Sequence, residues 1–275
     1  MMYKLTVLFS LAFSSITVAS EPVKRVISLA PHATEIAYAA GLGDKLVAVS
    51  EMSDYPEQAK ELERVANYQG LKLERILALE PDLVLVWPTG NPAKEVDKLK
   101  QFDVPVYYIT TNSLQDIASN IEKLSQYSEN PQIGQNTAQE FRAQLDTLRM
   151  KYNTETKVRY FYQLSEKPII TVAGKNWPSE VFTFCGGENI FTQSSSPYPQ
   201  VSIEQVITRQ PDVIFTSPHA MSDDGMWSEW KSELTALKNG HVWSLNSDWL
   251  NRPTPRTLKA ITEVCEHFEN VRQKR

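Results

Sequence analysis

The sequence predicts an α/β protein of two lobes with mainly parallel sheets, joined by one long helix and holding a ligand cleft between them. Three observations predict it: a helix–turn–strand unit that occurs twice, β-branched apolar runs that suit buried parallel strands, and a glycine-poor helical stretch between the halves. In the first copy Leu73-Glu74-Arg75-Ile76-Leu77 leads to Pro81-Asp82-Leu83-Val84. In the second, Ile203-Glu204-Gln205-Val206-Ile207 leads to Pro211-Asp212-Val213-Ile214 at the same spacing. Internal repetition of this kind implies two lobes built alike.

The elements follow in order. Met1-Met2-Tyr3-Lys4, the apolar stretch Leu5 to Phe13 and the small residues Val18-Ala19-Ser20 read as a secretory signal peptide over 1–20. The apolar run is too short to span a bilayer, which takes roughly 20 residues. No cysteine lies near the cleavage site, which excludes a lipid anchor there and predicts an exported protein that is not embedded in the membrane. An N-terminal lobe is expected over 21–129. It opens with strand Val26 to Leu29, and Thr34-Glu35-Ile36 then begins a helix ending at Gly41. Thr can cap a helix, Glu complements its dipole and Gly accepts a left-handed C-terminal turn. Leu83 to Trp87 and Val104 to Thr110 supply later strands.

Over 130–154, Phe141, Leu145, Leu148 and Tyr152 recur at helical spacing with Gly134 the one glycine between Pro131 and Tyr152. A helix of about 20 residues spans about 30 Å and is stiffer than a Gly/Ser linker. The C-terminal lobe, 155–275, repeats the plan. Strand sequence at Val158 to Leu164 and Ile169 to Ala173 precedes a helix from Ser179-Glu180-Val181 to Gly186-Gly187, and Leu83 to Trp87 is matched by Val213 to Thr216. Val242 to Leu245 closes the series.

The chain has 275 residues, 28 Lys+Arg against 33 Asp+Glu, a net charge of -5, and 41% hydrophobic residues, an ordinary globular balance. No cation-dense run is present, which argues against a nucleic-acid partner. Motifs of covalent, phosphate-binding and metal chemistry are missing: there is no G-x-S-x-G, P-loop, H-E-x-x-H or C-x-x-C. Gly41-Leu42-Gly43 follows a helix, the wrong context for a dinucleotide fingerprint. The four histidines, His32, His219, His241 and His267, lack metal-ligand spacing, so no dedicated metal site and no cofactor are expected. His32, at the end of the first strand, stands where a ligand could be approached, although a polar residue there is more often a helix-entry group. In an exported chain Cys185 and Cys265 are expected to pair, the alternative being two separately buried thiols.

Aromatics concentrate in the loops. Tyr68 and Tyr198 precede the two repeat helices at equivalent places, Trp87 closes a strand, Trp177 sits in Lys-Asn-Trp-Pro and Trp249 follows Ser247-Asp248. Any one of these is as readily a packed loop residue as a ligand contact. Together, from both halves, they could clamp a large, flat, partly apolar ligand.

Val26-Ile27-Ser28-Leu29-Ala30-Pro31 with Thr34-Glu35 resembles the opening of periplasmic binding proteins that serve ABC importers of metal chelates and corrinoids. Ser53-Asp54-Tyr55-Pro56, Gln69-Gly70, Leu73-Glu74-Arg75-Ile76, Cys185-Gly186-Gly187-Glu188-Asn189-Ile190-Phe191, Pro199-Gln200-Val201-Ser202 and Ser247-Asp248-Trp249 narrow the resemblance to the members that bind cobalamin (vitamin B12). The resemblance covers the whole mature chain. It implies two Rossmann-like lobes on a rigid helix, a periplasmic monomer without enzymatic activity, and delivery of cobalamin to the permease subunits of an ABC importer.

By the same resemblance Met52, Tyr68, Trp87, Trp177, Tyr198, Asp248, Trp249, Leu250, Asn251 and Arg252 are the expected ligand contacts. Met52 stands where the family has a tyrosine, and Tyr68 and Tyr198 stand where it has tryptophans; each keeps a polarizable contact. Glu74 and Glu204 resemble the lobe-tip carboxylates that dock on transporter arginines, although Glu in a first helical turn is also simply favoured by the dipole. The neighbouring expectations are the same fold holding haem or a ferric siderophore, which would favour a basic cleft, one in which sequence does not place Arg252, Arg256 or Lys175, and, further off, a periplasmic hydrolase.

Overall fold

A computed structural model describes residues 22–174, 176–218 and 225–274. The expected signal peptide, Lys175 and His219 lie outside the described residues. The N-terminal lobe is built on β1 (Val26–Ser28), β2 (Leu46–Ser50), β3 (Glu63–Asn67), β4 (Gly70–Leu71), β5 (Leu83–Val86) and β6 (Val106–Tyr108), in the order β4-β3-β2-β1-β5-β6. All pairs are parallel except the β3–β4 hairpin. Parallel neighbours need crossovers. These are supplied by α1 (Pro31–Ala39), α2 (Leu73–Ala78), α3 (Ala93–Gln101) and, between β2 and β3, a short 3-10 turn; α4 (Leu114–Ser125) follows the last strand.

From α4 the chain enters α5 (Pro131–Lys151), 21 residues long, which carries it to the second sheet. That sheet contains β7 (Val158–Glu166), β8 (Ile169–Thr171), β9 (Gly187–Asn189), β10 (Val213–Thr216) and β11 (Val242–Ser244), in the order β11-β10-β7-β8 with β9 also on β7. Only the β7–β8 hairpin is antiparallel among its pairs. Its helices are α6 (Ser179–Phe184), α7 (Ile203–Arg209), α8 (Thr235–Lys238), α9 (Ser247–Leu250) and α10 (Thr257–Gln273).

The sequence repeat is a structural repeat. α2 runs into β5 beside β1, and α7 runs into β10 beside β7. In both, the Asp of the Pro-Asp turn holds the start of the central strand: Asp82 accepts the backbone N–H groups of Lys24 and Arg25, and Asp212 accepts that of Arg159 at 2.7 Å. The residues just before the two prolines, Glu80 and Gln210, both have positive φ, +45° and +43°.

The helices after the first strands begin differently from expectation. α1 starts at Pro31, three residues before Thr34, because proline is well suited to the first helical position, where no N–H partner is needed. Thr34 therefore faces inward and donates to Ser28 Oγ at 2.9 Å rather than capping the helix. Ser179 likewise is the first residue of α6, and its hydroxyl donates to the Ala173 carbonyl. The glycine ends are as expected: Gly41 and Gly186 sit at φ +81° and +80°.

One buried apolar cluster extends from Val26, Ile36 and Ile121 through Ala138, Phe141 and Leu145 of α5 to Val158, Tyr160, Phe182 and Phe268. α5 packs on α4 along one side and touches α10. A disulfide joins Cys185, at the end of α6, to Cys265 in α10, across 80 residues.

Candidate functional site

Loops that leave the carboxyl ends of parallel strands gather on one edge of a sheet, where ligands of open α/β folds bind. Here two such edges face each other across a cleft of about 500 Å³. From the N-terminal lobe, the start of α1 just after β1 brings Pro31 and His32, the loop after β5 brings Trp87 and Thr89, and the segment after β6 brings Thr111 and Asn112. The other lobe answers with Asn176, Trp177 and Tyr198 from loops beside β8, and with Asn251 and Arg252 from the end of α9.

Five of the ten expected contacts thus line the cleft: Trp87, Trp177, Tyr198, Asn251 and Arg252. Their poses are held from behind. Asn91 accepts from the Trp87 N–H and donates to the Leu29 carbonyl, which pins the loop, and Gly90 leaves the Trp87 ring room that a Cβ would fill. Trp177 Nε1 donates to the Leu250 carbonyl at 2.8 Å, and the Tyr162 hydroxyl donates to Asn251 Oδ1 at 3.2 Å. Burial pushes Tyr162 up to about 12, against the Asn251 bond, so it remains a donor.

The other five lie differently. Met52 and Tyr68 stand outside the cavity but on the same edge, after β2 and β3, and Tyr68 is 91% exposed. Asp248 is half-exposed behind Arg252 and pairs with it at 3.0 Å. Leu250 is fully buried and reaches the cleft only through its carbonyl's bond to Trp177. Trp249 points elsewhere: it borders a separate shallow concavity with Glu263 and His267, with the Lys259 ammonium 5.3 Å from its ring centre. The cause is α9 itself, whose Asn246 side chain caps the Asp248 and Trp249 N–H groups and turns consecutive residues to different sides.

Charge is the second feature. Arg252 is the one Lys, Arg, Asp or Glu among the described lining residues, and its guanidinium is already matched by Asp54 at 2.5 Å and Asp248 at 3.0 Å. Burial raises the Asp54 pKa, but the hydrogen bond and charge of Arg252 outweigh it and leave the carboxyl below its ordinary value. Arg256 faces away from the cleft and forms a two-pronged pair with Glu35 at 2.5 and 2.8 Å, its plane 4.2 Å from the Tyr55 ring centre. Asp54 and Glu35 belong to the N-terminal lobe and both arginines to the other, so these pairs cross between lobes. His32, 6% exposed, meets the Trp87 ring edge-on at 5.3 Å. Burial, with the charge of Arg252 second, lowers its pKa to about 4, so the imidazole is neutral. Among the described residues no group of three His, Cys, Asp or Glu side chains could hold a metal, and no helix is long and apolar enough to cross a membrane.

Glu74 and Glu204 occupy matching exposed positions in the first turns of α2 and α7. Hydrogen bonds from the Ser202 side chain and from the Glu204 backbone hold the Glu204 carboxyl below its ordinary pKa. Sequence reasoning set aside His32 and passed over Asn176 and the acidic partners Asp54 and Glu35. The signal for His32 was its place one residue past the first helical proline, beyond a strand's carboxyl end.

The comparisons with known proteins agree with this architecture. Residues 26–249 match the periplasmic binding protein family. Vitamin B12-binding proteins of Vibrio parahaemolyticus and Vibrio campbellii are each 74% identical over 275 residues, covering 100% of both chains. The crystal structure of the periplasmic vitamin B12 binding protein BtuF of Vibrio cholerae superposes with a TM-score of 0.89 at 60% identity, covering 91% of this chain and 98% of that one. With a repeat, a bridging helix and a cleft between strand edges in place, the chain belongs to the periplasmic binding protein family.

Proposed function

We propose that the protein captures vitamin B12 in the periplasm and hands it to the membrane permease subunits of an ABC importer, without catalysing a reaction. The observation that carries this reading is the charge state of the cleft. Its walls are aromatic rings and amides from both lobes, its histidine is neutral and its one arginine is neutralised by two carboxylates. Such a surface suits a large macrocycle with an amide rim. It offers a carboxylate-rich haem or an anionic siderophore no free cation among the described lining residues, because Arg252 is paired with Asp54 and Asp248, and Arg256, outside the lining, is committed to Glu35. The full-length likeness to vitamin B12-binding proteins supports the same ligand.

In this reading Trp87, Trp177 and Tyr198 cover the corrin, Met52 and Tyr68 extend that cover at the open rim, and Asn251 and Arg252 meet the amides. Asp248 and Leu250 act behind the surface, fixing Arg252 and Trp177, and Trp249 lies outside this contact set. Size-exclusion of purified protein with cyanocobalamin is expected to show corrinoid absorbance under the protein peak near one per chain. Co-elution of haem in place of cyanocobalamin would overturn the reading.

Glu74 and Glu204 are the proposed docking carboxylates, one per lobe, and carboxylate–arginine pairing would set orientation as well as attraction. The double variant Glu74→Ala with Glu204→Ala is expected to retain cyanocobalamin in vitro and lose most of its uptake in cells. Unchanged uptake would remove these residues from docking.

A further inference from the structure

The cleft floor holds a group that this reading leaves unused. His32 is the second residue of α1, fixed just beyond the carboxyl end of β1, and its side chain is 94% withdrawn from solvent yet borders the cavity. Neither ring nitrogen of His32 makes a hydrogen bond to another described residue; the Trp87 ring lies beside it, met edge-on with an interplanar angle of 88°. That contact restricts the rotation of the imidazole without occupying its nitrogens. Burial, with the positive charge of Arg252 second, keeps the ring unprotonated and leaves one nitrogen with a lone pair. A neutral imidazole of this kind is a good ligand for a transition metal.

We propose that His32 donates a ring nitrogen to the cobalt of a corrinoid seated in the cleft, and so selects among corrinoids by the group on the axial position that faces the N-terminal lobe. The inference rests on the cobalamin reading above. The step is a ligand exchange at Co(III): the bond from cobalt to an axial water breaks, a cobalt–nitrogen bond to His32 forms, and neutral water leaves with its electron pair. The cobalt oxidation state does not change and no proton moves. A corrinoid with cyanide on that face keeps it and is held by ring burial and amide contacts alone. A corrinoid with exchangeable water gains a bond and is held more tightly.

The test uses the purified full-length mature chain with cyanocobalamin, with aquocobalamin and with cobinamide, which lacks the nucleotide base. Bound aquocobalamin is expected to change from the visible spectrum of an aqua complex to that of a nitrogen-ligated one, whereas bound cyanocobalamin keeps its spectrum. In His32→Gln, whose thermal transition is recorded to establish folding, the change is lost. With cobinamide reduced to Co(II), the nitrogen splitting in the electron paramagnetic resonance spectrum should alter when the protein is labelled with 15N-histidine. An aqua spectrum retained in the wild-type complex, or a nitrogen-ligated spectrum retained in folded His32→Gln, overturns the role of His32 while leaving the cobalamin reading intact. Failure of every corrinoid to co-elute overturns that reading, and this inference with it.

Discussion

Arg252 and Arg256 lie one helical turn apart in sequence and do different work. Arg252 borders the cleft and pairs with the half-exposed Asp54 and Asp248, with Glu35 farther off at 3.6 Å, whereas Arg256 meets Glu35 through two nitrogens, with side-chain exposures of 12% and 2%. Removing one member of a buried pair leaves the other charge uncompensated, at a cost of about 3–5 kcal/mol, while an exposed pair contributes about 0–1 kcal/mol. Glu35→Gln is therefore expected to destabilise the protein by about 3 kcal/mol, measured by urea unfolding. Breaking the exposed Glu122–Arg142 pair with Arg142→Ala should cost less than about 1 kcal/mol. A Glu35→Gln loss as small as the surface one would mean that Arg256 finds water instead. Sequence reading gave Glu35 a helix-dipole role because its true partner is 221 positions away. Arg252 and Asp54, 198 apart, were equally beyond local pattern. Arg252 itself was found through its family motif.

At the scale of elements, the duplicated unit explains why so much of the plan could be read. A helix that ends in a left-handed glycine, and a strand that starts from a Pro-Asp turn, are set by local chemistry, and both copies use them. Gly186→Ala tests that chemistry. A Cβ there would occupy a left-handed conformation that costs an L-residue roughly 1–2 kcal/mol and would come within 2.7 Å of Arg272 Nη2. Because that nitrogen also donates to the Cys185 carbonyl, the side chain cannot move away without losing a bond. The expected loss is about 2 kcal/mol, seen as a lower urea midpoint with an unchanged slope; an unchanged midpoint would show that the turn can relax.

Elements whose twin differs in sequence, or that have none, were the ones missed. β2 and β9 each follow a glycine-ended helix and pair in parallel with the central strand, but β9 is only Gly187-Glu188-Asn189, so comparing the apolar runs of the halves could not reveal the pair, and β3 has no counterpart. α10 carried a readable pattern, with Ala260, Ile261, Val264, Cys265, Phe268 and Val271 on its buried face. Only Cys265 of that face was singled out, for its thiol rather than for its periodicity.

For the whole molecule, the decisive feature is that the apolar cluster does not stop at the lobe boundary. Ala138, Phe141 and Leu145 on α5 belong to the same buried cluster as Ile121 of α4 and Phe268 of α10. With the Arg256–Glu35 and Arg252–Asp54 pairs also crossing between lobes, hinge opening would expose apolar surface and separate charges together. The lobes should then behave as one cooperative unit, and the cleft should be largely preformed, which limits the ordering cost of binding. Phe141→Ala separates this picture from that of two independent domains on a rod. Truncating a buried Phe costs about 3–5 kcal/mol. If the cluster is shared, calorimetry of the variant should show one transition, displaced downward as a whole, with calorimetric and van't Hoff enthalpies in agreement. If the lobes fold separately, the transition should split, one part moving and the other staying at its wild-type temperature. A split would also remove the basis for a preformed cleft, since the two aromatic walls would then be held at their spacing by α5 alone.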